Sequence, residues 1–112
     1  MDILTPKRGE VWWVDFGASI GSEVKKVRPA IVVSNNNSNK HIARFQVVPL
    51  TSNIQKLYPG ECLVTIKGQQ GKALANQLST IDKIRLYSNI ATLTEEDMTL
   101  VEESICLQLG LE

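Results

Sequence analysis

Short apolar runs separated by turns rich in glycine, proline and asparagine constrain the fold of this 112-residue chain more than any other feature. Residues 11–16 place large side chains on two alternating faces, and residues 30–33 form a continuous apolar run between Pro29 and a polar Asn/Ser cluster. Runs of this length with such boundaries are typical of β-strands. Further strands are predicted at residues 42–50, which Pro49 closes, at 61–66, and more weakly at 72–76 and 89–93.

The C-terminal segment has the pattern of a helix. Thr94 is a favourable N-cap, three acidic residues follow it in the first turn, and Gly110 is placed to end the helix. The apolar stripe expected to face the core consists of Met98, Val101, Ile105 and Leu109. Short strands followed by one helix predict a mainly β, α+β fold, a small curved antiparallel barrel, as a single domain over residues 1–112.

Composition excludes several classes of protein. Hydrophobic residues make up 43% of the chain and charged residues 21%, as in an ordinary globular domain. No apolar run approaches the ~18 residues of a membrane span, and the N-terminus lacks the pattern of a signal peptide, so we expect a cytoplasmic protein without a membrane partner. Cys62 and Cys106 are far apart and form no CxxC motif. Reduced, mostly buried thiols are therefore expected, rather than a disulfide or a metal site.

The residues also limit the chemistry. The chain has one histidine, His41, which excludes both a two-histidine acid–base pair and a three-histidine zinc site. His41 stands in a polar segment where nothing positions it, so we expect a loop residue rather than a catalyst. No phosphate-binding glycine motif occurs. We therefore expect neither a cofactor nor a metal.

Charge is divided unevenly along the chain. The formal net charge is zero, but residues 1–60 carry eight cations against four anions, and residues 61–112 carry four against eight. A basic surface that attracts a polyanion can therefore coexist with an acidic helix, although two solvated faces would give the same numbers.

The polar segment that precedes the second strand resembles a known family. It reads Gly21-Ser22-Glu23, then a stretch with the two cations Lys25 and Lys26, then Arg28-Pro29. Together with Arg8–Phe16 (Arg-Gly-Glu-Val-Trp-Trp-Val-Asp-Phe), it is similar to the MazF/PemK-like toxins. Further segments in family order are Leu57-Tyr58-Pro59-Gly60-Glu61, Ala75–Lys83 and Leu107–Leu111, so that the resemblance spans nearly the whole chain.

This resemblance implies a fold, an activity and partners. The implied fold is an SH3-like, CcdB/PemK-like barrel that forms a homodimer. The implied activity is that of a metal-independent, sequence-selective endoribonuclease, an mRNA interferase, which cuts single-stranded mRNA through the 2′-hydroxyl and leaves 2′,3′-cyclic phosphate and 5′-hydroxyl ends. The implied protein partner is a cognate antitoxin with an acidic C-terminal segment.

The resemblance also assigns roles to residues of this chain. Arg28 and Thr51 match the catalytic pair by motif, and Glu23 matches the acid of the Gly-Ser-Glu loop. The predicted RNA-binding residues are Trp13, Ser22, Lys25, Lys26, Ser52 and Gln77. Each of these residue types also has a structural role at such a position, so the prediction depends on their conjunction.

Three departures from the family pattern leave other functions open. Lys25 and Lys26 stand where glutamine and glycines are usual, Ser79 replaces a frequent cation, and Asn76 replaces an acid to which one branch assigns a catalytic role. An amide cannot act as a general base. The alternatives are a non-enzymatic poison of DNA gyrase with the same fold and an inactive relative that only binds antitoxin.

Overall fold

The computed structural model describes residues 5–17 and 26–111. Within these residues the secondary structure is β1 Glu10–Asp15, β2 Val27–Val32, α1 Asn36–His41, β3 Arg44–Thr51, β4 Glu61–Ile66, β5 Gln69–Leu74, β6 Ser79–Asp82, β7 Leu86–Thr92 and α2 Glu95–Leu109. Two 3-10 turns, Ala75–Gln77 and Lys83–Arg85, flank β6. The predicted α+β fold, with a sheet of short strands and a C-terminal helix, is confirmed.

The strands form one curled antiparallel sheet with the order β4-β5-β3-β2-β1-β7. β3 lies at its centre and is longer than its neighbours. One edge of β3 pairs with β2, and the other pairs with β6 at residues 44–47 and with β5 at residues 50–51. The β3 strand therefore holds both halves of the sheet together.

The two faces of the sheet carry separate hydrophobic cores, as strand alternation requires. The core on the face covered by α2 contains Val11, Ile31, Val48, Leu50, Cys62, Val64, Ala73, Leu93, Met98 and Val101. The core on the opposite face contains Trp12, Val14, Ala30, Val32, Phe45, Val47, Ile81 and Leu86. Large side chains on both faces of β1 were predicted from the sequence, and this is confirmed.

Helix α2 has the predicted ends. The Asp97 N–H donates to the Thr94 hydroxyl over 3.1 Å, and Gly110 ends the helix with φ +72°. Met98 and Val101 are buried as expected, but Leu109 is exposed. Its predicted place in the core was wrong: α2 packs on β4 and the Ala75–Gln77 turn, and in the last turn of the helix Gln108, not Leu109, lies against Gly60.

Several predicted boundaries shift for identifiable reasons. β5 begins at Gln69 rather than residue 72, because Lys67 and Gly68 both adopt positive φ and form a tight hairpin turn after β4. β6 was missed because only Ile81 of its four residues is buried. His41 closes α1 instead of lying in a loop, and its ring Nδ1 lies 2.8 Å from the Asn37 carbonyl. No helix among the described residues combines the length and apolar character needed to cross a bilayer.

Candidate active site

The strand register brings Arg28 and Thr51 together. Ala30 of β2 pairs with Pro49 of β3, so two residues further along the same antiparallel register Arg28 comes opposite Thr51. Thr51 in turn pairs with Lys72 of β5. Residues opposite one another in a sheet project from the same face. The three side chains therefore form a row across the face opposite to α2, just beyond its apolar core.

Arg28 has an unusual environment for a cation. It is half-buried, it lies beside the fully buried Val14 of β1, and its Nε is buried without a hydrogen-bond partner among the described residues. Buried N–H groups are almost always paired, and leaving one unpaired costs about 1–3 kcal/mol. A guanidinium with an unpaired donor suits an anion that can accept two parallel hydrogen bonds, such as a phosphate.

Thr51 ends β3 with its hydroxyl at the start of the following loop. The hydroxyl oxygen accepts a hydrogen bond from the Asn53 N–H over 3.2 Å, which fixes its position. A hydroxyl that accepts one bond can still donate its own hydrogen. Thr51 can therefore donate to a group bound by Arg28, and the exposed Ser52 follows it directly.

The connection between β1 and β2 returns to the sheet close to Arg28. The Phe16 N–H donates to the Lys26 carbonyl over 2.8 Å, and the Lys26 N–H donates to the Gly17 carbonyl over 2.6 Å. Lys26 is exposed and has φ +63°. The predicted site residues Ser22, Glu23 and Lys25 lie outside the described residues. The described chain resumes at Lys26, two residues before Arg28.

Two other predicted RNA contacts lie away from this row. Trp13 is 41% exposed, but it lies next to Val14 in β1, so strand alternation places it on the face opposite to that of Arg28. Gln77 lies in the 3-10 turn that joins β5 to β6. Both strands pair with the same edge of β3, so Gln77 lies on the Lys72 side of Thr51.

Sequence reasoning missed a buried ion pair at the end of this row. The Lys72 Nζ lies 3.2 Å from the Glu61 Oε1, and the two side chains are only 10% and 7% exposed. The same ammonium donates to the Lys56 carbonyl over 2.8 Å. Glu61 accepts from the Tyr58 N–H over 2.9 Å and from the Asn76 amide over 3.2 Å. The sequence feature that could have indicated this ion pair is Lys72 itself, a lysine directly followed by the apolar residues that end a strand.

These contacts govern the ionisation of Glu61. Burial alone would raise the pKa of its carboxyl, but the Tyr58 N–H, the Asn76 amide and the Lys72 ammonium together hold that pKa below its ordinary value of 4.5. Hydrogen bonds to the charged form of an acid have this effect. Glu61 is therefore a carboxylate at neutral pH.

The same contacts give a physical reason for Asn76. In this chain the Asn76 amide donates to Glu61, which an aspartate at that position could not do. An asparagine in place of the family's acid thus suits this chain, because the buried Glu61 carboxylate needs a hydrogen-bond donor at this position.

We expect Asn76→Asp to destabilise the fold by about 1–2 kcal/mol at pH 7, because two carboxylates would face each other where a hydrogen bond now forms. Urea unfolding measures this loss. Asn89→Asp, at an exposed position of β7, is the matched control and should cost less. Equal stability of the two variants would contradict this interpretation of Asn76.

Glu61 should also make stability depend on pH. Since its folded pKa lies below 4.5, its contribution is complete above pH 4.5 and is lost as pH falls through the folded pKa. The difference in unfolding free energy between wild type and Glu61→Gln should therefore shrink below pH 4.5. Urea unfolding of both proteins between pH 7 and pH 3 tests this, and a constant difference would count against the lowered pKa.

Comparison with known proteins identifies the family of this chain. Residues 7–109 match the family model described as "PemK-like, MazF-like toxin of type II toxin-antitoxin system". The chain is 39% identical to endoribonuclease MazF9 of Mycobacterium tuberculosis, an alignment that covers 94% of this chain and 97% of that protein. It is 34% identical to endoribonuclease EndoA of Bacillus subtilis, with 94% and 95% covered.

Solved structures show the same fold. The crystal structure of MazF from Deinococcus radiodurans superposes with a TM-score of 0.84 at 27% identity and covers 96% of this chain and 98% of that one. A mycobacterial endoribonuclease in complex with its cognate antitoxin gives a TM-score of 0.80 at 26% identity, with 96% and 97% covered. The family model spans nearly the whole chain, and the chain therefore belongs to the PemK-like, MazF-like toxins of type II toxin–antitoxin systems.

Proposed function

We propose that this protein is a metal-independent endoribonuclease toxin that cuts single-stranded mRNA at selected sequences. One observation carries the proposal: the Arg28 Nε, buried and without a hydrogen-bond partner among the described residues, lies in the row that also contains Thr51. Two relatives more than 30% identical to this chain are named endoribonucleases, which supports the same activity.

The proposed reaction uses a nucleophile that RNA itself supplies. The 2′-hydroxyl oxygen attacks the adjacent phosphorus and gives up its proton, while the bond from phosphorus to the 5′-oxygen breaks and that oxygen takes up a proton. The products are a 2′,3′-cyclic phosphate and a 5′-hydroxyl. Because no water has to be activated, the reaction does not depend on a metal-bound hydroxide.

Arg28 and Thr51 have complementary parts in this proposal. The Arg28 guanidinium binds two oxygens of the phosphorane and stabilises the charge that develops there. The Thr51 hydroxyl donates a hydrogen bond to the same group. We assign Arg28 an electrostatic role rather than proton transfer, because an arginine stays protonated at any working pH.

Glu23 completes the proposed catalytic set. It is the carboxylate of the Gly-Ser-Glu motif and stands five residues before Arg28 in the sequence. Glu23 either accepts the 2′-hydroxyl proton or orients Arg28.

The proposed RNA contacts surround this set. Lys25 and Lys26 bind phosphates, and Ser22 and Ser52 contribute hydroxyl contacts to the RNA. Gln77 binds on the Lys72 side of Thr51. Trp13 lies on the other face of the sheet, so it can stack on a base only where the bound RNA passes to that face. Its role stays a prediction.

We also propose a homodimer in the cytoplasm, inhibited by a cognate antitoxin. A solved relative was obtained in complex with its cognate antitoxin. An acidic C-terminal segment of such a partner would bind the cations that RNA also uses, Arg28, Lys25 and Lys26, so the two should compete. The Arg28–Thr51 arrangement favours a nuclease over a gyrase poison, which does not need it.

Product analysis tests the reaction. Purified protein incubated with a long defined RNA in EDTA should produce 5′-hydroxyl and 2′,3′-cyclic phosphate ends, and a substrate with a 2′-deoxy sugar at the cut site should be inert. The ends are identified by their susceptibility to polynucleotide kinase. Activity that disappears in EDTA, or products with 5′-phosphates, would contradict the mechanism.

Substitution tests the two central residues. Arg28→Ala should lose about 100- to 1,000-fold in kcat while it remains folded, since it removes a group that binds developing charge. Arg28→Lys should recover little of this, because an ammonium lacks the planar fork. Single-turnover kinetics on a short RNA measures the effect, and Arg44→Ala, on an exposed arginine at the start of β3, is the control for lost charge.

The same assay separates the contribution of the Thr51 hydroxyl from the contribution of the branched shape of the side chain. Thr51→Val keeps the branched shape and should lose most of the activity, whereas Thr51→Ser keeps the hydroxyl and should retain much of it. If Arg28→Ala or Thr51→Val cut RNA at the wild-type rate, the assignment of this site would be wrong.

A further inference from the structure

Residues 52–60 form the loop between β3 and β4, which directly follows the proposed catalytic Thr51. The buried ammonium of Lys72 binds the main chain of this loop. Lys72 pairs with Thr51 in the sheet, and its ammonium donates to the Lys56 carbonyl over 2.8 Å. The loop therefore leaves the sheet at Thr51 and returns at Lys56 to the Thr51–Lys72 pair.

Glu61 anchors the second half of the same loop. Its Oε1 accepts both the Tyr58 N–H over 2.9 Å and the Lys72 ammonium, and the Glu61 N–H donates to the Tyr58 carbonyl over 3.0 Å. The Gly60 carbonyl accepts from the Asn76 N–H over 3.2 Å. One buried ion pair thus fixes the main chain of the loop at residues 56 and 58.

The loop exposes apolar side chains that are not buried in either core of the protein. Ile54 is 38% exposed, Leu57 54% and Tyr58 55%, within five residues of chain next to Thr51. Exposed aromatic and aliphatic groups beside a phosphate-binding site suit the faces of unpaired bases. Contacts to bases select sequence, whereas contacts to phosphates fix only register.

We propose that the Glu61–Lys72 pair is a positioning device that holds the 52–60 loop as one wall of the RNA groove, so that Ile54, Leu57 and Tyr58 contact bases and restrict the cleavage sequence. This inference rests on the proposed nuclease function. Lys72 does not touch the substrate, because its ammonium is buried and already bound by the Glu61 carboxylate and the Lys56 carbonyl. Its effect on cleavage passes through the loop.

Lys72→Met tests the proposal, because methionine keeps an apolar stem and removes the ammonium. We expect the KM for a short cognate RNA to rise about tenfold, as for one lost base contact, and the set of sites cut in a long RNA to broaden. The kcat should stay within about threefold of wild type, since Arg28 and Thr51 are untouched. Hydrogen exchange of the amides in residues 53–59 should become faster.

Two further variants keep the test decisive. Lys67→Met removes a lysine from the exposed β4–β5 turn and should match wild type in the KM and in the sites cut. Lys72→Met leaves the Glu61 carboxylate buried without its cation and risks poor folding. The double variant Lys72→Met/Glu61→Gln removes both charges, and it should show the same broadened cleavage and faster exchange in a well-folded protein.

The outcomes separate the proposals. Wild-type protein that does not cut RNA would overturn the nuclease function and with it the role of the loop in RNA selection. Wild type that cuts, with folded Lys72 variants that cut the same sites with the same KM, would overturn this inference alone. Faster loop exchange with unchanged RNA cleavage would also overturn it, and would assign the apolar side chains of the loop to a protein partner instead.

Discussion

The pairing of β3 with strands on both of its edges is the constraint on which the rest of the structure depends. β2 on one edge brings Arg28 opposite Thr51, and β5 on the other edge brings Lys72 opposite the same residue. A slip of one residue at either edge would turn the whole strand over, since the side-chain period is two. The two cores prevent such a slip, because each face of β3 has its own apolar partners.

This arrangement places polar groups at the margin of a stable core. The apolar residues of the face opposite to α2 fill the centre of the sheet, and Arg28, Thr51 and Lys72 continue the same face beyond them. The hydrophobic packing fixes the backbone, and the backbone fixes the polar groups. The Arg28 Nε is therefore held buried without a hydrogen-bond partner among the described residues, a state that a mobile side chain would avoid by turning to solvent.

Much of the fold could be predicted from local sequence, because it depends on local rules. The ends of α2 follow from the chemistry of Thr94 and Gly110, and β4 lies where its apolar pattern predicts. β6 could not be predicted in the same way, because it is a short strand whose place depends on pairing with residues 44–47 of β3. Local patterns do not record such long-range partners.

The candidate site also combines features that local sequence predicts with features that depend on long-range strand pairing. Arg28 and Thr51 could be proposed from motifs, but their place in one row appears only from the register. The side of the sheet to which Trp13 belongs also follows from register rather than from its exposed aromatic character. Lys72 gave little signal, since a lysine in a strand is usually solvated, and its burial depends on Glu61 some ten residues earlier.

The 52–60 loop, which follows Thr51, is tied to the sheet by side chains rather than by strand pairing. The Lys72 ammonium donates to the Lys56 carbonyl, and Glu61 accepts from the Tyr58 N–H and from the Asn76 amide. The positions of Arg28 and Thr51 depend on a different interaction, the register between β2 and β3. Under the proposal that this loop contacts RNA bases, a change at Glu61, Lys72 or Asn76 should therefore alter the choice of cleavage sequence without displacing Arg28 or Thr51.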